Sequence, residues 1–331
     1  MAKIAVLGAG GWGTALAVMA DRYGNAVTLW TKFEEEAAMI RQHGEHKKLL
    51  PGIPVPPSVD LTTDLRCAAE ADLVLMAVPS FAIAETAAAL ASILPAGAVV
   101  ANCGKGLEDG RYRRFSQVMR ELLPAARVVA LSGPSHAEEV GRGVPTSVVS
   151  ASEDIEAAEL VQDLLMNPSF RIYVNADIVG VELGGALKNI IALAAGICDG
   201  LDMGDNTKAA LMTRGIHEIT NLGVKMGGKP ETFGGLSGIG DLIVTCCSIH
   251  SRNRRAGILI GEGTSPEDAV KQVGTVEGYY CCHAAWALAQ KHGVSMPITE
   301  QLYHILFDGA DPKQALDNLM SRPKKHEYEK F

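Results

Sequence analysis

Lys188 is the residue whose surroundings point most directly to chemistry. It is the only charged residue in the stretch 183–197 (LGGALKNIIALAAGI), where Asn189 is the only other strongly polar one. If this stretch is helical, the side chains beside Lys188 on its face are small or apolar and none is acidic. Because an unpaired buried ammonium is costly, Lys188 must either reach water or meet a partner from elsewhere in the chain. The pattern therefore predicts a functional lysine with room for a ligand, or alternatively a lysine whose stem crosses apolar surface to water.

A glycine-rich turn, GAGGWG at 8–13, follows the first β-rich run and leads straight into an amphipathic stretch. In such a GxGxxG pattern Gly8 permits the tight turn, Gly10 lets the backbone approach a pyrophosphate, and Gly13 lets the helix pack close to the strand. The start of the helix adds unpaired N–H groups and the positive end of its dipole. The turn predicts a dinucleotide site, against the alternative of a turn that binds nothing.

The end of the second β-rich run carries Trp30, Thr31 and Lys32. NAD-specific domains usually have Asp or Glu here to bind the ribose 2′-hydroxyl. With no carboxylate there to repel it, a 2′-phosphate could be accepted, so the sequence favours NADP and allows NAD. Lys32 could equally be a solvated turn lysine, and Glu34 lies close enough to weaken the preference.

Further candidates come from the end of another β-rich run and from the second half of the chain. Lys105 stands on a Gly-Lys-Gly turn, either reaching into a cleft or exposed. The cluster 251–255 (SRNRR) is basic in an acidic protein. With Ser251 as a helix N-cap it would hold a phosphate or carboxylate, unless it is only a solvated basic face. Asp241 follows a glycine-dense segment and is either a helix cap or the missing partner of Lys188.

Composition restricts the class of protein. The chain has 331 residues, 47% hydrophobic and 21% charged, with a formal net charge of −8. This charge argues against a nucleic-acid or anionic-membrane partner. Seven cysteines without CxxC spacing indicate a reducing compartment, with the cytoplasm as the default, and the vicinal pairs 246–247 and 281–282 are expected to be buried thiols rather than a metal site. No signal peptide and no membrane span are expected.

The pattern of elements changes near residue 177. Before it, β-rich runs at 4–7, 27–30, 73–78, 99–102, 128–131, 146–150 and 170–174 alternate with helical stretches at 13–23, 34–43, 83–93, 114–122 and 155–165. Residues 51–57, rich in proline, are expected to form a loop. After it, helices are expected at 178–196, 207–226, 241–247, 253–260, 265–271, 278–292, 297–307 and 312–319. The sequence predicts an α/β domain at 1–177 with a doubly wound, largely parallel sheet, followed by an all-α domain at 178–331.

Several segments together resemble NAD(P)-dependent glycerol-3-phosphate dehydrogenase of the bacterial type. They are GAGGWGTALA at 8–17, GKGLE at 104–108, SGPSHAEE at 132–139, ELGGALKNIIALAAGICDGLDMGDN at 182–206, GIGDLIVTC at 238–246, SRNRR at 251–255, VEGYY at 276–280 and MPIT at 296–299. The resemblance covers nearly the whole chain. It implies a Rossmann-type N-terminal domain, a helical C-terminal domain, a homodimer, and interconversion of dihydroxyacetone phosphate and sn-glycerol 3-phosphate for glycerophospholipid synthesis.

The resemblance also implies residue roles. The general acid/base falls on Lys188. Asp241 is predicted to be catalytic with it, because a carboxylate beside the lysine would raise the pKa that burial lowers. Substrate contacts fall on Lys105, Gly133, Ser135, Lys188, Asn189, Asp241, Thr245, Ser251, Arg252 and Asn253. Besides Gly8, Gly10 and Gly13, the cofactor is expected to meet Gly11, Trp12, Lys32, Lys105, Ala137, Arg252, Val276 and Glu277. Two rival readings are a dehydrogenase of similar fold acting on a β-hydroxy acid or acyl-CoA, which the SRNRR and GIGD segments disfavour, and a non-catalytic NADP(H) sensor.

Overall fold

Residues 1–324, 326 and 327 are described by the structure, a computed structural model. The chain divides into a first unit, Met1–Glu182, and a second unit, Leu183–Phe331. The division predicted from sequence lies after residue 177, whereas this one falls inside the helix that begins at Ile178.

The first unit is built on an eight-stranded sheet and a separate two-stranded hairpin. Its strands are β1 (Lys3–Leu7), β2 (Ala26–Trp30), β3 (Glu45–His46), β4 (Leu50–Pro54), β5 (Asp60–Thr62), β6 (Leu73–Met76), β7 (Val99–Asn102), β8 (Arg127–Ser132), β9 (Thr146–Ala151) and β10 (Phe170–Asn175). The order in the large sheet is β10-β9-β8-β7-β6-β1-β2-β5, while β3 pairs with β4. All neighbours in the large sheet are parallel except β8 and β9. The largely parallel sheet predicted from sequence is confirmed.

Helices cover both faces of this sheet. They are α1 (Gly11–Arg22), α2 (Glu34–His43), α3 (Ile83–Leu90), α4 (Phe115–Leu122), α5 (Ala137–Arg142) and α6 (Ile155–Leu165). One core includes Leu16 of α1 and Val161 of α6, and the other includes Ile83 of α3 and Met119 of α4. Strand order reverses at β1, whose neighbours are β2 on one side and β6 on the other. Ligands in open α/β sheets bind beyond the carboxyl ends of the strands at such a point.

The second unit is helical. Its helices are α7 (Ile178–Gly200), which begins in the first unit, α8 (Gly204–Lys225), α9 (Pro230–Phe233), α10 (Asp241–Cys247), α11 (Arg252–Gly261), α12 (Pro266–Val273), α13 (Glu277–His292), α14 (Pro297–Phe307) and α15 (Pro312–Met320). A wide π-type turn, Leu236–Gly240, precedes α10. Within the described part of this unit no strand occurs, so the predicted Rossmann-type domain with a helical partner is confirmed.

Sequence reasoning was wrong in several short segments. Residues 51–54 of the proline-rich stretch predicted as a loop belong to β4, which pairs with β3 in a hairpin that packs on α1 and α5. Strand β5 and helices α5 and α9 were not predicted, since each has six residues or fewer and carries too little periodicity to read. Helix α7 runs to Gly200, four residues beyond its predicted end.

Helix α7 is long and apolar enough to cross a membrane, and 94% of its most apolar window is buried within the protein. The segments Pro230–Cys247 and Arg252–Gly261 reach that length and hydropathy only when they are taken together, and they are bent by 51° where they meet. Core helices of folded domains can be equally long and apolar, and the burial of α7 fits a core helix.

A buried carboxylate, Glu218, holds the start of α14. Its oxygens accept hydrogen bonds from the backbone N–H groups of Ile298 (2.7 Å) and Thr299 (3.2 Å) and from the Thr299 hydroxyl (3.2 Å). Burial, opposed by these bonds, raises the pKa of Glu218 from its ordinary 4.5 to about 7. The folded protein therefore binds this proton more tightly than the unfolded chain does.

We expect this carboxyl to make folding stability fall with rising pH. Its contribution is fully present below about pH 4.5 and is lost as pH rises towards 7, by at most about 3 kcal/mol at 1.36 kcal/mol per pKa unit. Glu218→Gln keeps an acceptor and removes the titration. In urea unfolding at several pH values, the stability of the wild type relative to Glu218→Gln should decline between pH 5 and 7. The exposed Glu231→Gln is the control, and a pH-independent difference for Glu218→Gln would contradict the expectation.

Candidate functional site

Lys188 lies in the middle of α7 and is only 5% exposed. Its Nζ atom is 2.6 Å from Asp241 Oδ1 and 2.6 Å from Thr245 Oγ1. The structure therefore excludes the snorkelling alternative and confirms the pairing with Asp241. Because the two partners are 53 and 57 residues away in sequence, they reach the lysine only through the fold.

Helix α10 presents both partners of Lys188. Asp241 and Thr245 are four residues apart and lie on one face. The Thr245 hydroxyl donates to the backbone carbonyl of Asp241 at 2.6 Å, which leaves its oxygen to accept from the lysine. Asp241 is the first residue of α10 and is 1% exposed; Gly240, rather than Asp241, stands at the N-cap position. Its carboxylate is committed to the lysine instead of capping its helix.

The π-type turn before α10 sets where Asp241 begins. Its backbone lies so close to α7 that a Cβ atom on Gly184 would be 2.7 Å from the Ser237 carbonyl oxygen. Gly184 is one turn before Lys188, so a small residue at this position lets α10 approach the lysine.

The basic cluster at the start of α11 separates into different roles. Ser251 caps the helix, its Oγ accepting from the Arg254 N–H at 3.2 Å, as the sequence predicted. Arg254 donates to Asp199 Oδ2 at 2.6 Å, and Asp199 also pairs with Lys208. Arg252 and Arg255 are exposed. Arg254 is less exposed, with 18% of its side chain accessible.

Asn253 joins three helices of the second unit. Its Nδ2 donates to Asn189 Oδ1 at 2.9 Å, and its Oδ1 accepts from the Gly278 N–H at 2.8 Å. Val276 is fully buried at the N-cap of α13, and Glu277 is the first residue of that helix. The residues next to Lys188 in α7, at the start of α11 and at the start of α13 are thus held in one hydrogen-bonded group.

Helices α7 and α11 touch backbone to backbone, which the sequence reading missed. A Cβ atom on Gly196 would lie 2.1 Å from the Arg254 carbonyl oxygen, and one on Gly257 would lie 2.1 Å from the Leu193 carbonyl oxygen. Gly200 and Gly261 make a second contact one turn further along. The signal was the four-residue spacing of glycines in both segments, 196/200 and 257/261.

The glycine turn of the first unit has the geometry that the motif predicts. Gly8 adopts φ +112°, a conformation that other residues rarely take, and a Cβ atom on Gly13 would lie 1.9 Å from the Gly8 carbonyl oxygen. The following helix α1 has no acidic residue in its first turn and no side-chain cap at Gly10. Its terminal N–H groups are therefore left to an anion.

Two further observations test whether this turn fits a dinucleotide. A Cβ atom on Gly10 would have no neighbour within 4 Å, so the turn opens onto free space. The buried indole N–H of Trp12 has no hydrogen-bond acceptor among the described residues. Gly11 lies against the Leu49 carbonyl oxygen, 2.6 Å from where its Cβ would be, so the hairpin borders the turn. These residues fit a pyrophosphate-bearing cofactor.

The end of β2 differs from the sequence expectation. Thr31 donates its hydroxyl to Glu36, which also accepts from His46 Nε2 at 3.1 Å. The bond from His46 is the largest cause that holds the pKa of Glu36 below its ordinary value. Lys32 Nζ is 2.6 Å from Glu85 Oε1 on α3. The premise that no carboxylate lies at this strand end was therefore wrong.

Neither of these two carboxylates is evident from the residues around the end of β2. Glu85 lies 53 residues from Lys32, and Glu36 is on the first turn of α2. Glu34, the residue that the sequence suggested would interfere, instead pairs with Arg41 at 2.9 Å.

Lys105, Gly133 and Ser135 lie together in the first unit. Lys105 Nζ donates to the Gly133 carbonyl oxygen at 2.7 Å and to Ser135 Oγ at 3.3 Å, while Ser135 Oγ donates to the same carbonyl at 2.8 Å. Lys105 is half-buried rather than on an exposed turn. Ala137, predicted to contact the cofactor, is the first residue of α5 just beyond this group.

The cysteines are free thiols. Burial raises the pKa of Cys246 to about 12, and Cys281 and Cys282 are also buried. Cys247 is exposed, so the prediction of buried thiols was wrong at that position. Among the described residues no group of three or more His, Cys, Asp or Glu could hold a metal ion.

Two family models together match most of the chain. Residues 3–158 match NAD-dependent glycerol-3-phosphate dehydrogenase N-terminus, and residues 177–317 match NAD-dependent glycerol-3-phosphate dehydrogenase C-terminus.

Relatives in sequence and in structure align with this chain over nearly its whole length. Glycerol-3-phosphate dehydrogenase [NAD(P)+] of Desulfitobacterium hafniense is 55% identical over 330 residues, covering 99% of this chain and 94% of the relative. The enzyme of the same name from Moorella thermoacetica is 56% identical, covering 99% and 98%. The crystal structure of glycerol-3-phosphate dehydrogenase from Coxiella burnetii superposes with a TM-score of 0.92 at 40% identity, covering 97% of this chain and 99% of that one. A ketopantoate reductase from Ralstonia eutropha, at 17% identity and a TM-score of 0.61, shares the fold alone.

Proposed function

Because the chain belongs to the NAD-dependent glycerol-3-phosphate dehydrogenase family, we propose that it interconverts dihydroxyacetone phosphate and sn-glycerol 3-phosphate with NAD(H) or NADP(H). The observation that carries the proposal is the buried Lys188 ammonium held by Asp241 and Thr245 at 2.6 Å each. A core helix without a catalytic role gains little from a buried ion pair, since apolar residues of similar volume often stabilise a core as well or better.

Ketone reduction needs a hydride at the carbonyl carbon and a proton for the oxygen. The reduced nicotinamide, when bound, supplies the hydride. Lys188 polarises the carbonyl as an ammonium and gives its proton to the oxygen as negative charge builds there. In the reverse direction its neutral amine takes the proton from the C2 hydroxyl. Asp241 and Thr245 fix the position of Nζ, so the lysine need not reorient as the reaction proceeds.

The substrate phosphate is proposed to bind at the start of α11. Ser251, Arg252 and Asn253 are the first residues there, and the N-terminus of a ten-residue helix adds N–H donors and the positive end of its dipole. The exposed Arg252 guanidinium can hold phosphate oxygens bidentately. Asn253 is held by Asn189 and Gly278, which leaves one of its amide N–H groups for the substrate. Anchoring at the phosphate orients the reacting carbon.

The glycine turn is proposed to bind the pyrophosphate through Gly8, Gly10, Gly11, Trp12 and Gly13. Lys32 would then meet the adenosine ribose, and Lys105 and Ala137 stay predictions for cofactor contact. Arg252, Val276 and Glu277 stay predictions for cofactor contact. Lys105, Gly133 and Ser135, which lie together in the first unit, stay predictions for substrate contact.

Consumption of NADPH or NADH on addition of dihydroxyacetone phosphate tests the reaction. The purified chain should oxidise either cofactor only with this substrate, and a parallel reaction with a β-hydroxy acid and oxidised cofactor separates the rival dehydrogenase. Tight dinucleotide binding without turnover would favour the sensor instead.

We expect Arg252→Ala to raise the KM for dihydroxyacetone phosphate. Loss of a charge-assisted hydrogen bond costs about 1.5–3 kcal/mol, or roughly a tenfold to hundredfold change. Steady-state kinetics of Arg252→Ala should be compared with Arg255→Ala, an exposed arginine of the same helix. Equal KM values in the two variants would remove Arg252 from the phosphate site.

The setting of the enzyme is also proposed. The enzyme would be a homodimer in the cytoplasm that supplies sn-glycerol 3-phosphate for glycerophospholipids. The seven free cysteines agree with that compartment, and the net charge of −8 agrees with a protein that has no nucleic-acid or membrane partner. Light scattering of the purified protein measures the oligomeric state directly, and a monomeric mass would contradict the dimer.

A further inference from the structure

The end of β2 holds a cation that already has a counterion. Lys32 Nζ lies 2.6 Å from Glu85 Oε1, and the two side chains are 59% and 70% exposed. Lys32 follows β2, whereas Glu85 lies in the first turn of α3. Strands β2 and β6 flank β1 on opposite sides, so the two residues converge on the edge where the dinucleotide turn opens.

Cofactor choice is made at this strand end. A carboxylate here binds the 2′-hydroxyl of NAD, whereas a cation accepts the 2′-phosphate of NADP. Here the position carries Thr31 and Lys32, and the Thr31 hydroxyl is already given to Glu36. Lys32 is therefore the cation available to a 2′-phosphate. To bind it, the phosphate must compete with the Glu85 carboxylate that already pairs with this lysine.

We propose that Glu85 is a specificity-determining residue that competes with the 2′-phosphate for Lys32 and so lowers the preference for NADPH over NADH. The proposal rests on the proposed function, in that the ribose must lie at the end of β2. NADPH must displace the Glu85 carboxylate or bind beside it against like-charge repulsion. NADH brings an uncharged hydroxyl and leaves the ion pair intact.

Glu85 is the adjustable carboxylate of the two in this region. Glu36 is held by both Thr31 and His46, and His46 is itself 2% exposed with its Nδ1 accepting from the Leu49 N–H at 3.1 Å. Among the described residues the Glu85 side chain pairs with Lys32, and 70% of it is exposed. Removing its charge therefore leaves the packing of this region unchanged and isolates the electrostatic effect.

Direct binding measures the effect without turnover. Dissociation constants of NADPH and NADH should be determined by calorimetry for the wild type and for Glu85→Gln at low ionic strength. An exposed ion pair is weak, so we expect Glu85→Gln to tighten NADPH about two- to fivefold and to change NADH by less than about twofold. Added salt should shrink the difference. Glu34→Gln, which removes an exposed carboxylate two residues after Lys32, is the matched control. It should change neither the dissociation constant of NADPH nor that of NADH.

A double variant tests the route of the effect. In a Lys32→Gln background, Glu85→Gln should lose most of its selective gain for NADPH, because the competition is for that lysine. Equal changes for the two cofactors, or none, would overturn the proposal while leaving the dehydrogenase function intact. A wild type that binds neither dinucleotide would instead overturn the assignment of the glycine turn, and this inference with it.

Discussion

Replacing Lys188 with alanine is expected to lower kcat by roughly 10²–10⁴-fold, the range for a positioned general acid. The variant loses both the proton donor and the positive charge beside the carbonyl oxygen. Dinucleotide binding at the glycine turn should be retained. Single-turnover measurements with saturating dihydroxyacetone phosphate separate the chemical step from product release, and near-normal turnover would exclude Lys188 from catalysis.

We expect Lys188→Ala also to lower the free energy of unfolding. Asp241 is 1% exposed, and the variant takes from this buried carboxylate the ammonium that lies 2.6 Å away, which costs about 3–5 kcal/mol of folding stability. Loss of activity could then reflect unfolding. The double variant Lys188→Met with Asp241→Asn removes both charges and should recover much of that stability while staying inactive. Lys188→Arg, which keeps the charge but holds its proton, should stay far below wild-type turnover.

Lys188 could be identified from the sequence because a single charge in fifteen residues is a local signal. Its partner could only be suggested, since Asp241 reaches Lys188 through helix packing and not through periodicity. The glycine turn was readable because the strand, the three glycines and the helix are contiguous. In each case the information needed lay within one element or two adjacent ones.

What the sequence could not predict depends on distant contacts. The SRNRR cluster looked like one basic group, but Arg254 is neutralised by Asp199, 55 residues earlier. The residues that end β2 include no carboxylate. In the structure, however, Glu85 of α3 pairs with Lys32, and Glu36 of α2 accepts a hydrogen bond from the Thr31 hydroxyl. Charged side chains pair with groups that the fold brings near them, and no spacing rule in the sequence records that proximity.

Gly257→Ala is expected to destabilise the second unit and to impair substrate binding together. Alanine is normally favoured over glycine in a helix by about 1 kcal/mol. Here its Cβ would lie 2.1 Å from the Leu193 carbonyl oxygen, so α7 and α11 must separate. Overpacking of this kind costs typically about 1–3 kcal/mol, which outweighs the gain in propensity.

The separation has a functional consequence because α7 carries Lys188 and α11 carries the proposed phosphate contacts. A misplacement on the order of 1 Å can cost about 10²-fold in rate. We therefore expect Gly257→Ala to raise the KM for dihydroxyacetone phosphate and to lower kcat, while the dissociation constant of NADH stays within about twofold, since NADH binds mainly at the glycine turn of the first unit. Gly261→Ala, whose Cβ would lie 2.5 Å from the Ile197 carbonyl oxygen, should show a smaller effect.

Thermal unfolding and steady-state kinetics of the two variants, with Arg255→Ala as the control at an exposed position of α11, decide the matter. The order of damage should be Gly257→Ala, then Gly261→Ala, then Arg255→Ala in both measurements. If Gly257→Ala is instead more stable than the wild type, helix propensity wins, and the close contact between α7 and α11 does not set the distance from the lysine to the phosphate site.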